Sequence, residues 1–115
     1  MKNVNPDVIA WQEIREMESD THTNQIEQLA AIIPGYQWMY HSAMLFSNGV
    51  EEEGLGIFVR KDIDIVHQKV VRLPRKSDCN DDNTRIMFLL ELNMDGRTFY
   101  FVNSHWSYES HCQLV

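Results

Sequence analysis

The sequence predicts an α/β layered domain, a mostly antiparallel sheet with one flanking helix, and three observations predict it. Strand-like runs recur from residue 36 to residue 104, those at Leu55 to Arg60 and Ile63 to Val71 rich in β-branched residues, with turn residues between them. Ile26, Leu29, Ala30 and Ile33 stand at the i, i+3, i+4, i+7 spacing of an amphipathic helix. Ile86, Phe88, Leu90 and Leu92 alternate along one segment, the period-two pattern of a strand with one buried face.

Taken in order, Val8-Ile9-Ala10-Trp11 follows Pro6-Asp7 and reads as a short buried strand, with Gln12-Glu13 straight after it. A polar stretch leads to the helix, which Thr21 or Thr23 caps and Pro34-Gly35 ends. Tyr36 to Tyr40 forms the second strand. Leu55 to Arg60 and Ile63 to Val71 are strands around a Lys61-Asp62 turn, and Pro74 to Asn83 is a polar loop. The alternating strand from Ile86 is joined to a last strand, Thr98 to Ser104, through Asp95-Gly96, a pair that tolerates positive φ at both central positions of a tight hairpin. From Ser107 a helix is expected to begin. Natural domains usually carry their termini beyond finished elements, whereas here a buried strand lies near Met1 and a helix start near Val115. The reading is therefore a partial domain over residues 1–115, cut at both ends.

The 115 residues suffice for one small domain and not for two. With 43% hydrophobic and 10% aromatic residues, the chain can bury an ordinary core, which argues against disorder. Ten Lys and Arg against seventeen Asp and Glu give a formal charge of −7. That balance excludes a non-specific nucleic-acid coat, which needs many cationic phosphate contacts. It leaves a nuclease open, because metal ions bring positive charge to an acidic site. No apolar run approaches the ~20 residues needed to span a membrane, and the first seven residues hold no apolar signal core. Cys79 and Cys112 have no metal-ligand spacing and no motif around them. Both are expected to be free thiols, with one disulfide as the alternative.

Few residues invite chemistry. Glu13 ends a buried strand, where open α/β sheets place ligands, and a carboxylate there suits Mg²⁺. A strand that simply turns polar at the surface would look the same. His105 ends the last strand, where an imidazole can serve as a general acid or donate to a phosphate. A hydrogen-bonded strand-end histidine is the plainer reading. Arg85 heads the alternating strand, where its planar fork can clamp a phosphate or pair with Asp81 or Asp82. Glu51-Glu52-Glu53 is a run of like charge, which usually means a solvated loop. His22, His41, His67 and His111 have no partner at ligand spacing, and there is no His-Glu-x-x-His.

The order of these features carries more than any one of them. Pro6-Asp7-Val8-Ile9-Ala10-Trp11-Gln12-Glu13-Ile14-Arg15 resembles the Gln-Glu segment of the endonuclease/exonuclease/phosphatase (DNase I-like) superfamily. Pro34-Gly35-Tyr36 is similar to that family's lead-in to its next strand, and Glu53-Gly54-Leu55-Gly56-Ile57-Phe58-Val59-Arg60 to the strand that follows. Phe101-Val102-Asn103-Ser104-His105-Trp106 resembles its Asn-Thr-His-Leu segment, with Trp106, like Trp11 earlier, in place of a smaller apolar residue.

The resemblance implies a fragment, the N-terminal half, of a four-layer α/β sandwich. It implies a metal-dependent hydrolase of phosphate esters with Mg²⁺ (or Mn²⁺) as cofactor. Glu13 would be a metal ligand, His105 would contact the phosphate or act as the acid, Glu53 would orient the imidazole, and Arg85 would bind substrate phosphate. The substrate class stays open between nucleic acid, phosphoinositide and phospholipid headgroup. The family's upstream strand with an Asn would precede Lys2-Asn3, and its Asp-x-Asn and closing acidic-or-Ser-His motifs would follow Val115. The chain alone is thus expected to be inactive or nearly so; a non-catalytic binding module with the same half-fold is the alternative. The family fold packs two sheets face to face, and this chain is expected to supply roughly one. Its inner face would then be exposed and prone to self-association.

Overall fold

A sheet strand sealed on both faces must be apolar along nearly its whole length, and Leu55-Gly56-Ile57-Phe58-Val59 is such a run. In the computed structural model, which describes residues 4–17, 25–46, 51–80, 83–107 and 112–113, this run is the centre of the fold. The elements are β1 (Val8–Met17), α1 (Gln25–Ile32), β2 (Tyr36–Phe46), β3 (Glu51–Arg60), β4 (Asp64–Arg72), β5 (Ile86–Met94) and β6 (Arg97–Ser104). They form two three-stranded antiparallel sheets, ordered β1-β3-β2 and β4-β5-β6.

Leu55, Ile57 and Val59 of β3 face the second sheet and meet Phe88, Leu90 and Leu92 of β5. Phe58 faces the other way, with Ile14 and Ile26, under the helix. Phe58 is fully buried, a burial that contributes about 1.5–3 kcal/mol. The layers are therefore helix, sheet, sheet. The α/β class with antiparallel sheets is as the sequence predicts, but the expectation of a single sheet with a bare inner face is not met. The alternation in β5 places its apolar side on β3, so the chain supplies both sheets and closes its own inner faces. The apolar side chains left exposed lie elsewhere, among them Val66, Val70, Tyr100 and Val102 of the second sheet.

The helix stripe behaves as its spacing predicts: Ile26, Leu29, Ala30 and Ile33 all pack in the layer beneath α1. The caps proposed at Thr21 or Thr23 lie outside the described residues, as does most of the helix expected from Ser107. Gln25 accepts the Arg15 backbone N–H at 2.8 Å and so ties the start of the helix to β1. Asp95 (φ 53°) and Gly96 (φ 78°) both take positive φ between paired Met94 and Arg97, the two-residue turn the dipeptide predicts. Arg60 bridges Asp7 and Asp62, each at 2.7 Å, and locks the start of β1 to the β3–β4 turn. Its hydrogen bond holds the Asp62 carboxyl below its ordinary pKa.

Four more expectations need correction. β2 runs on past Tyr40 to Phe46. β1 continues past Trp11 to Met17, because a bulge between Trp11 and Ile14 lets pairing with β3 resume at Ile14. The Glu51-Glu52-Glu53 run is the first part of β3 and not a loop, and Glu53 is only 8% exposed. Cys79 and Cys112 are joined in a disulfide rather than free. The loop after β4 folds back onto the segment after His105, with Lys76 donating its backbone N–H to the Cys112 carbonyl at 2.9 Å. That contact brings the two cysteine Cα atoms within 5.4 Å, inside the range a disulfide spans. Among the described residues, no helix is long and apolar enough to cross a membrane.

Candidate functional site

Bulges re-aim side chains, and two of them flank the same stretch of β3. On one side β1 shifts register between Trp11 and Ile14. On the other, β2 shifts between Ser42 and Met44. The stretch between them carries Glu53, Gly54 and Leu55. Within the first bulge Glu13 has φ 56°, a left-handed conformation uncommon for a residue with a Cβ. Its carboxylate is about two-thirds exposed, and Oε1 lies 3.8 Å from His105 Nε2.

Glu13, Glu53, Arg85 and His105 all line one pocket, together with Thr84, Gly54 and three apolar residues. The four come from the β1 bulge, β3, the residue before β5 and the residue after β6. Their positions in sequence span more than ninety residues, yet one cavity collects them. Its enclosed volume is about 10 Å³, room for a single water-sized group. Arg85 is buried at 7% exposure, and its carbonyl accepts the Leu73 N–H at 2.9 Å, which fixes the entrance to β5. Glu53 has an ion-pair partner in Arg15, Nε to Oε2 at 3.4 Å.

Two residues that sequence reasoning passed over hold the sheets together at this edge. The buried Asn103 donates through Nδ2 to the carbonyls of Trp11 at 3.0 Å and Gly56 at 3.1 Å. One amide thus joins β6 to both β1 and β3. Gln12 donates through Nε2 to the Ser104 carbonyl at 2.6 Å. Both neighbour a candidate residue, Gln12 beside Glu13 and Asn103 two before His105. Their pairing across 92 positions left no local signal. A buried amide such as that of Asn103 is costly unless satisfied and rigidifies the packing when it is.

Among the described residues no three His, Cys, Asp or Glu side chains group as a metal cluster. Mg²⁺ commonly takes only one or two protein carboxylates and keeps several waters. Glu13, whose carboxylate is about two-thirds exposed, places one such hard-oxygen donor at the pocket.

A scan of the sequence against protein-family models finds no match. A search of curated proteins finds none either. Among solved structures, the chain is similar to the catalytic domain of human Nocturnin, solved with a bound sulfate anion. The TM-score is 0.64 at 17% identity, over 91% of this chain. The likeness is one of fold. The chain spans 38% of the length of that structure, so its two sheets and helix correspond to part of a DNase I-like fold.

Proposed function

We propose that this chain carries the metal- and phosphate-facing part of a site that hydrolyses phosphate esters. The observation behind it is the single pocket that gathers Glu13, Glu53, Arg85 and His105. Glu13, held in its strained bulge, is the residue that would hold Mg²⁺ or Mn²⁺. When bound, such an ion neutralises charge that builds on the phosphate oxygens. Arg85 donates its fork to a non-bridging oxygen. His105 contacts the phosphate or protonates the leaving oxygen, and Glu53 orients the imidazole. The similar fold of Nocturnin, a catalytic domain that holds a sulfate anion, supports an anion site here. These four do not include a group to activate the attacking water. The chain on its own is therefore expected to bind metal and phosphate without turnover.

Manganese titration of the chain, followed by calorimetry, tests the reading. Glu13→Gln is expected to weaken Mn²⁺ binding by more than about tenfold, since even outer-shell partners cost that much, with the circular dichroism spectrum unchanged. Equal Mn²⁺ affinity in the variant would defeat the proposal.

A further inference from the structure

An imidazole does positioned chemistry only when the backbone on both sides of it is held. Before His105 the hold is made by β6. Asn103 Nδ2 donates to the carbonyls of Trp11 at 3.0 Å and Gly56 at 3.1 Å. Ser104 Oγ donates to the Ile86 carbonyl at 3.1 Å, and the Ser104 carbonyl accepts from Gln12 at 2.6 Å. After His105 the strand has ended, and Trp106 is 55% exposed, so its ring adds little packing to hold the chain.

The next hold is at Ser107, whose backbone N–H donates to Gln113 Oε1 at 2.8 Å. Gln113 stands six positions further on and is itself buried, at 8% exposure. Its neighbour Cys112 is fully buried and is tied twice to the loop between β4 and β5. One tie is the disulfide to Cys79, the other the Lys76 N–H to its carbonyl at 2.9 Å. The same loop is fixed at its start by the Leu73 N–H to Arg85 carbonyl bond at 2.9 Å, and Arg85 shares the pocket with His105. A covalent anchor, a buried amide and the residue two after His105 thus make one continuous path.

We propose that Gln113 is a positioning residue for His105, anchored by the Cys79–Cys112 disulfide. The disulfide then acts on the site as well as on the unfolded chain. It seats Gln113, Gln113 holds Ser107, and Ser107 limits where the His105 ring can stand against Glu13, 3.8 Å away. The purpose of the clamp rests on the phosphoesterase reading above, in which His105 meets the phosphate; its geometry does not.

Heteronuclear NMR of the oxidised full chain tests it. The quantities read are the His105 ring signals, the Ser107 amide exchange rate and, as a marker of the core, the position of the Ile57 amide signal. Gln113→Met keeps the length of the side chain and removes the acceptor. It is expected to speed Ser107 exchange about fivefold, the scale of one net hydrogen bond, and to shift the His105 ring signals. The Ile57 signal should stay in place, because the opening is local. Cys79→Ala/Cys112→Ala is expected to shift the His105 signals in the same way, and adding Gln113→Met to it should shift them no further. Unchanged Ser107 exchange and His105 signals in Gln113→Met overturn the proposal, as does a change that reaches Ile57 equally. Additive shifts at His105 overturn the anchoring through the disulfide. If the disulfide-free chain does not fold, Gln113→Met decides alone. Failure of the phosphoesterase reading shows elsewhere, as an unchanged Mn²⁺ affinity in Glu13→Gln, and leaves these signals where they are.

Discussion

Gly54→Ala should leave the chain unable to reach a cooperative native state. A Cβ built at Gly54 overlaps the carbonyl oxygen of His41 and lies 2.8 Å from the Ser42 Cα. The obstacle is backbone of the neighbouring strand, which cannot rotate aside as a side chain would. Gly54 is paired with Ile14 on one side and Ser42 on the other, so β3 has no free edge along which to shift. Overpacking against fixed backbone in a central strand belongs to the rare class of changes that cost more than about 4 kcal/mol. That is a large share of the ~5–15 kcal/mol by which domains are stable. Gly96→Ala is the natural control. Its φ is positive, at 78°, but nothing lies within 4 Å of the added carbon, and the expected cost is only about 1–2 kcal/mol. Urea titrations followed by circular dichroism would distinguish them. A Gly54→Ala variant with the midpoint of the Gly96→Ala control would show that β2 and β3 do not approach this closely.

Reduction of the Cys79–Cys112 disulfide should cost about 3–4 kcal/mol by the loop-closure relation, given the separation of 33 residues. The effect arises chiefly in the unfolded chain, which gains freedom once the loop is opened. Part of it acts locally, because the bond ties the Arg75 loop to the segment that follows His105. Thermal melts of the oxidised and reduced protein, with Cys79→Ser as a second arm, measure it. A difference below about 1 kcal/mol would mean the pairing closes no entropy-bearing loop, and the Lys76–Cys112 backbone bond would then hold the segment unaided.

What the sequence made legible was local. The alternation of Ile86, Phe88, Leu90 and Leu92, the stripe from Ile26 to Ile33 and the Asp95-Gly96 turn each follow from residues within a few positions of one another. The continuation of β1 was hidden, because a polar Gln12-Glu13 pair looks the same whether a strand ends there or bulges and resumes. The burial of Glu53 was hidden as well. An acidic triplet resembles a solvated loop until β1 and β2 close on either side of it. The second sheet and the Cys79–Cys112 pairing depend on contacts between distant segments, which periodicity does not encode. Glu13 and His105 stood out by their place at strand ends, and Glu53 only by resemblance. Their gathering with Arg85 on one pocket depends on Asn103 and Gln12, whose partners lie 92 residues away.

The left-handed backbone at Glu13 sets this residue against its own scaffold. Glycine or asparagine would occupy φ 56° with less strain than glutamate, by roughly 1 kcal/mol. A library of variants at this position, selected for thermal resistance alone, should therefore converge on Gly or Asn and discard the carboxylate. On the metal-binding role proposed above, glutamate here is a concession of stability, of the sort that folds make where activity and robustness pull apart.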